Sequence, residues 1–306
     1  MFSGRLGYNA GVHNILIVGS GDVARRILSL IRGQARVYAL LRDPAQAGAW
    51  RTAGATPVIA DLDDRKSLRR LAGLAESVLH LAPPPNAGER DPRTRHLLAA
   101  LSRPQGKRGS LPRRLIYVST TGVYGDCGGA RIDETRPLQP ESARARRRVD
   151  AERALRRWAA QTGVAVSILR APGIYAADRL PLERLDKGTP ALVAADDVYT
   201  NHIHADDLAA ACVAALRRGA ASRSYNVVDD SDLKMADYFD RVAAAFQRPP
   251  PPRLSRAEAE RQLSPLQLSF MRESRRIGNR RLKHELGLRL RYPTVEAGIA
   301  AALRAG

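Results

Sequence analysis

Cysteine is nearly absent: the 306-residue chain carries two, Cys127 and Cys212, too few and too far apart for a disulfide framework or a metal-ligand cluster. We therefore expect no metal, and a reducing, cytoplasmic compartment. No run approaches the roughly 18 consecutive apolar residues of a membrane span, and the stretch from Met1 to His13 lacks the apolar centre of a secretory signal, so no membrane partner is expected. Lysine is scarce as well. Only five of the 50 basic residues are lysine, and the formal net charge is +19. Such a charge attracts any polyanion, but arginine is spread along the chain with a single dense run, Arg144–Arg148, and no DNA- or RNA-binding motif accompanies it. The pattern reads as a compositional bias, and a nucleic-acid partner is not expected. With 44% hydrophobic residues the chain can bury a full core.

What is present is an alternation of short apolar runs and amphipathic stretches. N-I-L-I-V-G at Asn14–Gly19 has the continuous apolar character of a strand covered on both faces. Val23–Arg32 follows with helical spacing (Val23, Ile27, Leu30, Ile31), and Arg36–Leu41 returns to strand. Further strands are predicted at Pro57–Ala60, Ser77–Leu81, Leu115–Ser119 and Val164–Leu169, with helices at Lys66–Ala72, Thr94–Leu101 and Ser142–Gln161 between them. This alternation predicts an α/β fold, a doubly wound parallel sheet of the Rossmann type. Beyond Pro172 the pattern becomes irregular, with a short strand near Val198–Ile203, a helix at Asp207–Arg217 and a last strand at Ser224–Val228. From Leu233 onward it is mostly helical, broken at Pro249–Pro252, whose prolines cannot occupy a helix interior. We expect a binding domain over 14–230, with 176–200 contributing to a smaller C-terminal substrate-covering lobe formed by 231–306.

The first strand runs into G-S-G-D-V-A: Gly19, Ser20, Gly21, Asp22, Val23 and Ala24. In a G-x-G-x-x-A turn the first glycine makes the bend, the second lets a pyrophosphate approach the backbone, and the small third residue lets helix and strand pack closely. Phosphates then meet free N–H groups at the positive end of the helix. A dinucleotide cofactor is thus expected. Where the second strand ends, an acid would bind a ribose 2′-hydroxyl and an arginine a 2′-phosphate; Leu41 holds the acid's place and Arg42 follows it. That favours NADP, while Asp43 keeps NAD possible.

Several further segments carry a family resemblance. S-T-T-G-V-Y-G at Ser119–Gly125, I-D-E-T at Ile132–Thr135, L-R-A-P-G-I-Y at Leu169–Tyr175, H-I-H-A-D-D-L-A at His202–Ala209 and S-Y-N-V-V-D at Ser224–Asp229 occur in order. Together they resemble the extended short-chain dehydrogenase/reductase superfamily, the NAD-dependent epimerase/dehydratase group. The resemblance implies that Thr120 bonds a substrate oxygen and that Asp61 contacts the adenine amino group. It also implies that Leu81, Ala82 and Pro83 run along the cofactor's edge, that Ser119 closes the cofactor strand, and that Pro172, Gly173 and Ile174 lie beside the nicotinamide.

One departure is decisive for chemistry. The group carries Tyr-x-x-x-Lys on the long helix, the tyrosine as general acid/base and the lysine depressing its pKa; this chain has Arg144 and Arg148, the register being fixed by Glu152 four residues later. Arg148 keeps the charge and can bind ribose. Arg144 cannot cycle a proton near neutrality. The loss points to the atypical branch of the superfamily. Asp91 is either the counterpart of a catalytic-site residue or a helix N-cap ahead of Pro92. Tyr124 and Tyr175 are candidate substitute acids or packing residues, His202 and His204 are read as structural, and Asp207 is read as the cap of the next helix. The arginines of Ser142–Gln161 are expected to face outward, with Arg148 and Glu152 one turn apart and able to pair. Seven arginines there would repel a symmetry mate, which leaves both monomer and homodimer open. Two functions remain: an oxidoreductase- or epimerase-like enzyme for a small polar substrate, and a non-catalytic cofactor-binding sensor.

Overall fold

The computed structural model describes residues 13–104 and 111–305; the expectation placed on Met1–Val12 lies outside them. Seven strands form one parallel sheet: β1 Asn14–Val18, β2 Arg36–Leu41, β3 Ala55–Ile59, β4 Ser77–His80, β5 Arg114–Thr120, β6 Ala165–Ala171 and β7 Arg223–Asn226. Their spatial order is β7-β6-β5-β4-β1-β2-β3. The order reverses between β1 and β4, and ligands of open α/β sheets sit at such a reversal. Val18 at the end of β1 accepts the N–H groups of both Leu81 and Ala82, which ties the two strand ends together. This is the doubly wound Rossmann-type sheet expected from the alternation of runs.

Helices cover both faces because both faces are apolar. On one side α1 (Asp22–Ile31) and α6 (Ala205–Arg218) bury Ala24, Ile27, Leu28, Leu208 and Cys212 against Ile15, Ile17 and Ile116. On the other, α3 (Pro92–Leu101) and α4 (Ala143–Thr162) bury Leu97, Leu101, Leu155 and Trp158 against Leu16, Val18 and Leu115. A short helix, α2 (Ala47–Thr52), lies between β2 and β3 and places Trp50 in the core; no reading of the sequence anticipated it. The helix expected at Lys66–Ala72 is a 3₁₀ turn, Ser67–Leu71, that still buries Leu68 and Leu71.

A separate apolar cluster joins Leu180 and Leu185 to Tyr238, Phe239 and Val242 of α7 (Met235–Ala245) and to Val295 and Ile299 of α11 (Val295–Ala305). Tyr175 belongs to it, and its ring lies where a Cβ on Gly298 would come within 2.4 Å. Glycine is therefore required there for the last helix to dock. Leu282, Leu286 and Leu290, by contrast, pack into the core of the main sheet.

Candidate functional site

Gly19 has φ +103°, and a Cβ on it would stand 2.6 Å from the nitrogen of Ala82. Only glycine makes this bend while letting the β4 end approach. Gly21, the N-cap of α1, has open space where a Cβ would point, and no side chain caps the helix. The first turn of α1 thus presents amide groups with no side-chain partner at the positive end of the helix dipole. Asp22 in that turn is held by Arg26 at 2.8 Å and by Arg179 at 3.0 Å. Arg179 comes from the loop after Tyr175, far away in sequence, and sequence reasoning missed it. Val23, Leu81 and Ile174 pack against the core beneath these segments.

A cavity of about 240 Å³ opens beside Gly19 and Ser20, lined also by Arg42, Asp43, Asp61, Ala82 and Pro83. Arg42 is exposed there, and among the described residues it makes no ion pair with Asp43. Asp43 instead accepts the Ala45 N–H at 3.0 Å, capping the turn that follows. Asp61 accepts the Asp63 N–H at 2.9 Å, which shapes the cavity wall. Arg93, a second residue the sequence did not flag, reaches the same cavity from α3, its guanidinium forked onto Asp63 at 2.8 and 2.6 Å. That fork holds the Asp63 carboxyl below its ordinary range.

A second cleft, about 290 Å³, lies at the carboxyl ends of β5 and β6. Thr120, Gly122, Ser142, Arg144, Pro172, Gly173, Tyr199, Asn201, Phe270 and Arg275 line it. The Thr120 hydroxyl accepts the Gly122 N–H at 3.2 Å. Ser119 is buried beside it, and its hydroxyl has no partner among the described residues. Arg144 stacks over the Phe270 ring at 4.8 Å.

The other residues singled out lie away from this cleft's walls. Tyr124 is fully buried; its hydroxyl donates to Asn226 at 2.7 Å and accepts from Arg170 at 2.8 Å. Tyr175 is buried, donates to the Thr294 carbonyl at 3.2 Å, and its phenol is pushed up by desolvation with the Asp229 charge adding to it. Asp91 is a buried N-cap of α3, accepting the Thr94 N–H at 3.2 Å. Its other oxygen takes the Thr94 hydroxyl, which also contacts His80 at 2.9 Å. Burial, with the Arg148 charge, lowers His80 to about 3 and keeps it neutral.

The arginine helix differs from its sequence reading. Arg148 and Glu152 do not pair. Arg148 turns inward and donates to the Tyr117 hydroxyl at 3.0 Å and to the Val118 carbonyl at 2.9 Å. Glu152 pairs with Arg170 of β6, at 3.2 and 2.8 Å, both side chains being buried. Arg147 is likewise buried, on the Gly88 carbonyl, and Arg156 reaches Ser222 and Ser224. The outward-facing expectation holds for Arg144, Arg153 and Arg157, which are exposed, and fails for Arg147, Arg148 and Arg156, because carbonyls of the neighbouring loops and strand need donors. Asp207 does not cap α6: the His204 ring accepts the Asp206 N–H at 3.2 Å, while Asp207 accepts the N–H groups of Arg291 and Tyr292. His202 is buried, and desolvation lowers it to about 4.

With this geometry in place, comparison with known proteins supplies the family. Residues 15–228 match the model of the NAD dependent epimerase/dehydratase family, and the chain belongs to it. A functionally unknown conserved protein from Silicibacter pomeroyi is 31% identical over 96% of this chain and 99% of its own, with a TM-score of 0.79. The fold is also shared with a nucleoside-diphosphate-sugar epimerase from Pseudomonas aeruginosa (18% identity, 96% and 97% coverage, TM-score 0.77). A dTDP-glucose 4,6-dehydratase from Bacillus anthracis, solved with NAD, is similar at 15% identity, 96% coverage of both chains and a TM-score of 0.76. A search of curated protein sequences returns no match. Among the described residues no helix is long and apolar enough to cross a membrane.

Proposed function

We propose that this chain binds a nicotinamide dinucleotide, NADP in preference to NAD, and works as an atypical oxidoreductase- or epimerase-like enzyme on a small polar substrate. The observation that carries the reading is the turn at Gly19–Gly21: a backbone bend open to solvent at the uncapped end of α1, beside a cavity holding Arg42. The residues fit the cofactor. Gly19 to Val23 would receive the diphosphate, Arg42 the 2′-phosphate, Asp61 the adenine, and Leu81 to Pro83 the cofactor's edge. The buried, unpartnered hydroxyl of Ser119 offers a polar contact near the ribose or nicotinamide, and Arg148 keeps a cation at the family's lysine position. Asp43, occupied as a turn cap, is a poor competitor for a ribose hydroxyl, which supports NADP.

When bound, the cofactor supplies a hydride donor or acceptor beside Pro172 to Ile174. Thr120, already an acceptor for Gly122, has its hydroxyl proton to offer a substrate oxygen. Among the described residues Tyr199 is the phenol that lines this cleft. Proton delivery then falls to Tyr199, to water or to a group on the substrate, and Tyr124 and Tyr175 keep structural roles.

A second reading, a cofactor-binding sensor without catalysis, is favoured by Arg144 alone, since a guanidinium stands at the acid's position.

Calorimetry with NADPH and NADH tests the first claim. We expect binding of both, with NADPH tighter; Arg42→Ala should weaken NADPH by roughly tenfold and leave NADH unchanged, as expected for losing one charge-assisted contact. Absence of heat with every pyridine nucleotide overturns the proposal. Turnover of an aldehyde or ketone panel with NADPH then separates enzyme from sensor.

A further inference from the structure

The substitution that removes the acid leaves something in its place. Arg144 occupies the second position of the twenty-residue helix α4, and its side chain lines the 290 Å³ cleft opposite Thr120. Its guanidinium carbon lies over the Phe270 ring, 4.8 Å from the ring centre, and Phe270 is 48% exposed. A cation held over a ring face keeps N–H groups available to a further acceptor. Among the described residues Arg144 makes no hydrogen bond and no ion pair, whereas Arg146, Arg147, Arg148 and Arg156 on the same helix all have partners.

A second, independent feature of the same cleft points the same way. Arg275 is largely buried; one terminal nitrogen is committed to the Gly125 carbonyl and to Glu273, but its Nε is buried without a partner. A buried donor without an acceptor is costly, and the Arg275 cation stands in the wall of the cleft, where it favours an anionic ligand. Glu273 offsets the charge of Arg275, so the cleft keeps the charge of Arg144, to which the positive end of α4 adds. Opposite these cations Thr120 offers its hydroxyl proton, as an oxyanion or carbonyl oxygen requires.

We propose that the cleft selects a small carboxylic acid bearing a hydroxyl or carbonyl group, its carboxylate held by the Arg144 fork with Arg275 behind it, its oxygen by Thr120. The size of the cleft supports a compact ligand. Drug-sized molecules occupy pockets of roughly 300–1,000 Å³, and a cleft of about 290 Å³ stands at the small end of that range. A flat carboxylate matches the two-pronged guanidinium edge, which a neutral sugar hydroxyl does not. Arg144 is thus a specificity-determining residue where relatives carry a proton donor. The inference rests on the cofactor reading for its reaction but not for its binding step.

Titration calorimetry with pyruvate and 2-oxobutyrate, their methyl esters and inorganic phosphate, each with and without NADPH, tests it. The two acids should bind the intact protein. Arg144→Gln should weaken them by roughly 10- to 100-fold, the range for losing a charge-assisted fork, and leave the weak binding of the esters and the affinity for NADPH unchanged. Arg144→Lys, which keeps the charge without the fork, should fall between and guards against misfolding of the first variant. Equal acid binding in wild type and both variants overturns the proposal, as does phosphate binding tighter than either acid, or no acid binding to a protein that takes NADPH. Acid binding that depends on Arg144 in a protein blind to NADPH upholds the inference and overturns the cofactor reading.

Discussion

The two proposed sites are built from different materials. At the proposed dinucleotide site the work is done by backbone: a glycine at φ +103°, the open flank of Gly21, the amides of α1 and the β4 end tied to Val18. At the proposed substrate cleft it is done by side chains drawn from β5, α4, the segment after β6, Tyr199–Asn201 and the region around Phe270–Arg275. Backbone constraints tolerate little change, because a Cβ in the wrong place collides with main chain that cannot move. Side-chain sites can be rewritten one residue at a time, and Arg144, where the family resemblance implies a phenol, is read as such a rewriting.

The sharpest way to break this contrast is at Gly19. Gly19→Ala places a methyl against the Ala82 nitrogen at a backbone angle that L-residues avoid. We expect destabilisation above about 2 kcal/mol and complete loss of nucleotide binding; a variant that still binds NADPH normally would show the bend to be dispensable. The pair that anchors α4, and with it Arg144, tests the scaffold where Gly19 tests binding as well. Glu152→Ala leaves the Arg170 guanidinium buried without its carboxylate, which should cost about 3–5 kcal/mol in denaturant unfolding. A loss under about 1 kcal/mol would mean that water reaches the site.

The smallest effect concerns pH. Asp229 is buried near Tyr175 and Tyr238, one of its oxygens accepts the Ser231 N–H, and the other has no partner among the described residues. Desolvation raises its carboxyl to about 7, well above the value of about 4 expected in the unfolded chain. Between those two values the folded protein holds a proton that the unfolded chain has lost, so stability falls as pH rises from about 4 to 7. Asp229→Asn should remove that component, leaving the wild-type melting temperature to fall more steeply than the variant's across this window. Parallel profiles for the two proteins would place the titration elsewhere.

The legibility of the sequence follows the same division. The doubly wound parallel sheet and the Gly19–Ala24 turn could be read because apolar runs of strand length and a glycine-rich bend between strand and helix leave local signatures. Helix α2 escaped because six residues with one tryptophan show no full apolar period. Lys66–Ala72 was read as α-helix because 3₁₀ and α turns share their apolar spacing over one turn. Of the residues that line the second cleft, Thr120, Pro172 and Gly173 stood out in the sequence through motif and Arg144 through its departure from motif. Arg93, Arg179, Phe270 and Arg275 were not, since each reaches its cavity through tertiary packing with no local pattern. The partner of Glu152 was misassigned for a related reason. A helical neighbour one turn away is visible in sequence, whereas Arg170 on a strand behind the helix is not.

The guanidinium-rich composition has a consequence for how the loops stay in place. Arg114 binds the Gly219 carbonyl, Arg147 that of Gly88, Arg218 that of Leu286 and Arg276 that of Gly129, so many turns are laced to the scaffold by a planar donor that can serve two acceptors at once. A lysine offers a single rotating ammonium at these points. Part of the arginine content is in this way internal stitching, each guanidinium keeping its charge while its N–H groups fasten a turn.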